Sequence, residues 1–214
     1  MKRRTFVSGS VALAAGALAA PAIAATIKPY SWDLNPPMDS RENFIAWGKA
    51  RGEDPVALGQ RWDRFQALIR NKDIWGQATM RAFLLTPREE FAAISPAIAK
   101  RGYEHAFLDI GYGVTMSGPH VQGRMTNVID VKRGEKVLEI GTGSGVQSAY
   151  IANLTENAYT IEIIAPLAQP PDAQGAGVFR QAVAVVQRQA KALFDRLLQW
   201  QCHGRRTGVH VAQC

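Results

Sequence analysis

The chain has 214 residues, 47% of them hydrophobic and 20% charged, which suits a domain with a real core and excludes a disordered polymer or a membrane bundle. Its formal charge of +7 sits at the two ends: residues 25–165 hold 16 basic and 16 acidic groups, whereas residues 1–24 and 166–214 carry the excess. A neutral body gives no reason to expect a nucleic-acid reader, whose working domain is usually basic.

Residues 1–24 read as an address. Lys2-Arg3-Arg4 precedes Thr5-Phe6-Val7, an apolar small-residue run follows, and Ala22-Ile23-Ala24 supplies a cleavage-like end. The paired arginines resemble a twin-arginine export signal, which implies a periplasmic or otherwise exported protein. The alternative is an uncleaved anchor helix, or a cytoplasmic protein. The run is short for a membrane span, so no stable span is expected once the signal is removed. Residues 25–40, with three prolines, read as a linker.

A domain is expected over 41–165. Asp39-Ser40 caps a first helix. Val56, Leu58, Trp62, Phe65, Leu68 and Ile69 recur at helical spacing, and another helix follows over 74–84. Pro87-Arg88-Glu89-Glu90-Phe91 opens a further helical turn. Residues 103–124, with four glycines, read as a loop, and Met125 to Ile129 as the end of a helix. Lys136 to Ile140 is a short buried strand, Gly141 to Gly145 a tight turn, Val146 to Leu154 a helix and Tyr159 to Ile163 a second strand. Strand, turn, helix and strand in this order make a βαβ unit and imply an α/β fold with a parallel sheet.

The glycines of Gly141-Thr142-Gly143-Ser144-Gly145 suit a turn where a ligand approaches backbone N–H groups at the end of a strand. The spacing lacks the third glycine of a dinucleotide fingerprint and the Gly-Lys-Ser/Thr of a phosphate loop. Glu162, near the end of the next strand, can accept both hydroxyls of a ribose.

Val137-Leu-Glu-Ile-Gly-Thr-Gly-Ser-Gly145 resembles the first motif of S-adenosylmethionine-dependent methyltransferases. Val114-Thr-Met-Ser-Gly-Pro-His120, followed by Gly123-Arg124-Met125, resembles a segment of the protein-L-isoaspartate O-methyltransferases, and Ala82-Phe83 through Phe91 and Tyr103 through Phe107 match that family in order and spacing. The resemblance implies a Rossmann-like methyltransferase fold with amino-terminal helices and an incomplete sheet. It implies S-adenosyl-L-methionine as methyl donor, held by Glu139, Gly141, Thr142, Gly143, Ser144, Gly145 and Glu162. It implies isoaspartyl-containing proteins or peptides as acceptors, positioned by Ser117 with Thr115 supporting its loop. No metal and no general base are required, because the nucleophile is a carboxylate already ionised at neutral pH. His120 stands where the family commonly has Tyr, and Val146 where an aromatic is common; His120 and His105 read as loop and surface residues. A non-catalytic binding remnant and a small-molecule methyltransferase are the competing functions.

Beyond Pro166 the resemblance fails. Residues 166–214 hold eight Gln and no Glu, and read as a divergent tail, either a reading-frame change in the gene or a genuine ending. Phe179, Val183, Val186, Ala190, Leu193, Leu197 and Trp200 predict one amphipathic helix there. Cys202, His203, His210 and Cys214 fit no usual zinc spacing.

Overall fold

The computed structural model describes residues 33–92, 95–167, 183–185 and 209–213. The amino-terminal part is helical because capping residues and apolar periodicity agree. Ser40 accepts the Asn43 N–H at the start of α1 (Arg41–Lys49). Asp54 accepts from Val56 and Ala57 at the start of α2 (Pro55–Arg70), with Pro55 at a position where its missing N–H costs nothing. Helices α3 (Gln77–Leu85), α4 (Arg88–Phe91) and α5 (Pro96–Ala99) follow. Leu58, Trp62, Phe65 and Leu68 form the buried stripe of α2.

These helices close over a line of rings. Phe44 meets Trp62 at 5.7 Å between centroids, Trp62 meets Phe65 at 5.5 Å, and Phe65 meets Phe83 at 6.3 Å. Phe83 stacks on Tyr150 at 6.0 Å. Each such pair adds about 0.5–1.5 kcal/mol beyond its buried area. Tyr150 belongs to α7 (Val146–Ala152), so this line also fastens the helical layer to the βαβ unit. Residues 33–39, read as linker, are docked rather than free: the Leu34 carbonyl accepts from Arg81 Nε at 2.8 Å, and Pro36 is buried.

The expected loop over 103–124 is more ordered than its glycines suggest. It contains an antiparallel hairpin, β1 (Leu108–Asp109) and β2 (Thr115–Met116), and α6 begins at Pro119 and runs to Ile129. Gly111 and Gly113 take positive φ at the hairpin turn, so they form a tight reversal, not an irregular coil.

Strand β3 (Lys136–Ile140) pairs in parallel with β4 (Asn157–Ile161), which ends two residues before the expected Ile163. On the far side of β4 lies β5 (Val183–Val185), and on the other side of β3 lies β6 (Val209–Gln213), both parallel. The order β5-β4-β3-β6 makes an α/β sheet of four strands. This corrects the single helix expected over Phe179 to Trp200. Val183-Ala184-Val185 has β-branched residues at both ends and can complete a parallel strand, and apolar spacing alone does not separate the two states. The rest of that stripe, the signal-like residues 1–24, and Cys202, His203 and Cys214 lie outside the described residues. No helix among the described residues is long and apolar enough to cross a membrane.

Candidate active site

Strand β3 has β4 on one side and β6 on the other, so neighbouring strands leave it in opposite directions. The crevice beyond the carboxyl end of such a strand is where open α/β sheets hold ligands. The glycine loop stands there. Gly141, Gly143 and Gly145 have φ of +89°, +52° and +86°. At Gly143 this freedom matters directly, because its N–H is turned onto a carboxylate: it donates to Glu162 Oε2 at 2.7 Å. A side chain there would be strained by its backbone angle and would press on Ile110, 3.4 Å from the position of a Cβ.

Glu162 lies one residue past β4. Its other oxygen, Oε1, accepts from the N–H groups of Ile163 and Ile164, both at 2.8 Å. Three backbone donors therefore fix one carboxylate against the loop. The loop is anchored to β4 by Gly141 and Thr142, whose N–H groups reach the Ile161 carbonyl at 2.9 and 3.3 Å. The Thr142 and Thr160 hydroxyls, both buried, share a hydrogen bond of 2.6 Å. Glu139, on β3, is 1% exposed and accepts from the Ser148 hydroxyl of α7.

One cavity of about 230 Å³ gathers the sequence candidates. Thr115 and Ser117 line it from the hairpin side, and Glu139, Gly141, Thr142, Gly143, Ser144 and Glu162 from the sheet side. Gly145 does not line it: it caps α7 and donates its N–H to the Thr142 carbonyl at 2.8 Å. Val146 and Gln147 also line the wall, so the departure at Val146 leaves room where an aromatic ring would stand. His120 is not in a loop but in the first turn of α6. Its ring stacks on exposed His105 at 3.7 Å with Phe107 edge-on, in space left by the missing side chain of Gly118. Burial and the neighbouring His105 hold the His120 pKa below the usual histidine value.

Two residues of the site escaped the sequence reading. Gln122 of α6 lines the cavity. Arg88, read only as part of a helical turn, is fully buried and ties together the elements behind Ser117. Its Nε donates to the Gly102 carbonyl at 2.8 Å, its Nη2 to the Ser117 carbonyl at 2.9 Å, and its Nη1 to Gln122 Oε1. No local signal marks Arg88, because its partners lie 14 to 34 positions further along the chain.

A second buried arginine lies farther out. Arg61, 1% exposed, binds Glu53, Glu89, the Tyr103 hydroxyl and the Leu84 carbonyl. Glu90 beside this cluster is pushed up to about 8 by burial and by the charge of Glu89.

The model of the family described as Protein-L-isoaspartate(D-aspartate) O-methyltransferase matches residues 61–174, more than half of the chain. The chain belongs to this family. A protein-L-isoaspartate O-methyltransferase of Shewanella pealeana is 44% identical over 103 residues, covering 48% of this chain and 46% of its own. That of Opitutus terrae is 41% identical over 98 residues, covering 46% and 41%. The chain thus spans about half the length of the curated relatives it matches. A Plasmodium falciparum protein-L-isoaspartate O-methyltransferase, solved with S-adenosyl-L-homocysteine, shares 18% identity over 70% of this chain and 61% of its own at a TM-score of 0.44.

Proposed function

We propose that this chain binds S-adenosylmethionine over Gly141–Gly145 and directs its methyl group to the carboxylate of an isoaspartyl residue held at Ser117. The observation that carries this reading is the single cavity lined by the glycine loop and Glu162 on one side and by Thr115 and Ser117 on the other. The residues fit the donor. Glu162 presents a fixed carboxylate to a ribose, the glycine positions of the loop leave a surface free of side chains for the donor to lie against, and Glu139 places buried negative charge where the cationic aminoacyl end would lie. S-adenosylmethionine, when bound, would supply a methyl group on a sulfonium, whose neutral thioether is a good leaving group.

The chain's own residues have little chemistry to do. The acceptor carboxylate is ionised at neutral pH, so no base must take a proton. The Ser117 hydroxyl orients one carboxylate oxygen, and the Thr115–Ser117 strand end fixes its distance to the glycine loop. Met116 is buried, and Val146 and Ile164 contribute apolar wall that removes water from the nucleophile. His120 is not called on as a base.

The direct test is transfer of a labelled methyl group to a peptide carrying one isoaspartyl residue, against the same peptide with aspartate. Transfer to the isoaspartyl peptide alone supports the reading. Donor binding without transfer to either peptide favours a non-catalytic remnant, and transfer only to small molecules favours a different acceptor. We further infer export, from the arginine pair and the apolar run of residues 1–24. Replacing Arg3 and Arg4 by Lys should retain the protein inside the cell, and unchanged export would rule out the twin-arginine route.

A further inference from the structure

A buried cation needs a counter-charge or pays a heavy solvation penalty. Arg88 is 0% exposed, yet among the described residues its guanidinium meets neutral oxygens: two backbone carbonyls, the Gln122 side-chain oxygen and the hydroxyl of Tyr150. Among the described residues it makes no ion pair, in contrast to Arg61, whose equally buried guanidinium is met by Glu53 and Glu89. Arg64 feels that charge: burial, and then the like charge of Arg88, hold its pKa below the usual arginine value. Neutral oxygens satisfy the N–H groups but leave the positive charge in place.

That charge has a direction. Two of the oxygens it holds belong to residues that line the cavity, Ser117 and Gln122. The cavity therefore has opposite polarity at two places, a buried carboxylate at Glu139 and an unmatched guanidinium behind Ser117. We propose that Arg88 is the positioning residue for the acceptor: it fixes the Ser117 loop through the Ser117 carbonyl, and its unpaired charge selects an anionic group at that spot. The inference rests on the methyltransferase reading and deepens it, because it says why a carboxylate and not its neutral amide should settle beside Ser117. Low dielectric around Arg88 makes the attraction felt across the intervening residue.

The test compares two peptides with the full chain, titrated with and without S-adenosylhomocysteine. One carries an isoaspartyl residue, the other the same residue with its α-carboxylate as a primary amide. The carboxylate peptide should bind at least about tenfold tighter than the amide. Arg88→Lys keeps the charge and loses the fork, so both peptides should weaken while most of the preference survives. Arg88→Met should bring the preference to about one while leaving S-adenosylhomocysteine affinity within about threefold. A merely structural role would weaken both peptides equally and leave the ratio untouched. A ratio near one in the unaltered chain, a ratio lost in folded Arg88→Lys, or a ratio retained in Arg88→Met overturns the proposal. If Arg88→Met does not fold, the unaltered chain and Arg88→Lys decide it. Loss of S-adenosylhomocysteine binding in the unaltered chain defeats the donor-site reading instead, and binding of neither peptide defeats both.

Discussion

The helical layer and the βαβ unit bury polar groups for different ends. In the helical layer, Arg61 is matched by two carboxylates, a hydroxyl and a carbonyl, and rings fill the space around it. In the βαβ unit and the hairpin that faces it, carboxylates and hydroxyls converge on an open cavity, and Arg88 behind it has no carboxylate partner among the described residues. The first arrangement is closed and serves stability. The second leaves capacity for a ligand, at some cost to stability, and that asymmetry separates scaffold from site.

Substitutions should break along the same line. Arg61→Met leaves Glu53 and Glu89 beside an apolar side chain and should destabilise the fold by about 3–5 kcal/mol, read as a lower denaturant midpoint. Phe83→Ala removes the ring that touches Phe65, Tyr103 and Tyr150 and joins the two regions; about 3–4 kcal/mol should be lost in the same assay. On the site side, Glu162→Ala should weaken S-adenosylhomocysteine binding by about 1.5–3 kcal/mol in a calorimetric titration. Its fold stability should change by less than about 1 kcal/mol, because the three freed N–H groups lie where water can reach them.

The smaller effects concern pH. Glu90 is raised to about 8, so the folded state holds its proton more tightly than the unfolded chain does. Its contribution is most favourable below the ordinary glutamate value and declines as pH rises toward 8. Glu90→Gln should remove that decline and gain on the order of 2 kcal/mol over the unaltered chain at pH 9, with little difference at pH 4. His120 works in the opposite sense: its lowered pKa gives stability that is full above about 6.5 and falls as pH drops through the folded value. The loss should stay below about 1 kcal/mol by pH 5, and His120→Phe, which keeps a flat ring against His105, should abolish it.

What could be read from the sequence follows from how local each signal is. The bounds of β3, the cap of α1 and the glycine loop depend on residues close in the chain, and they stand where spacing places them. Ser117, expected from the family resemblance, and Glu162 line one cavity with that loop. The strand β5 was hidden because Val183 fits a helical stripe as well as a strand, and only pairing with β4 decides. Arg88 was hidden for a different reason. Nothing in Pro87-Arg88-Glu89-Glu90 says that one charge of three turns inward, because its partners Gly102, Ser117 and Gln122 come from 14 to 34 positions away.

The role given to the glycine loop and Glu162 is tested most directly by titrating S-adenosylhomocysteine into the full chain and into Glu162→Ala, with unfolding curves recorded on both. A saturable one-to-one association that weakens by about 10- to 100-fold in Glu162→Ala, with the unfolding midpoint unchanged, is the expected result. Equal affinity in the two proteins, or no association with the folded unaltered chain, would contradict the placement of the donor site at this loop.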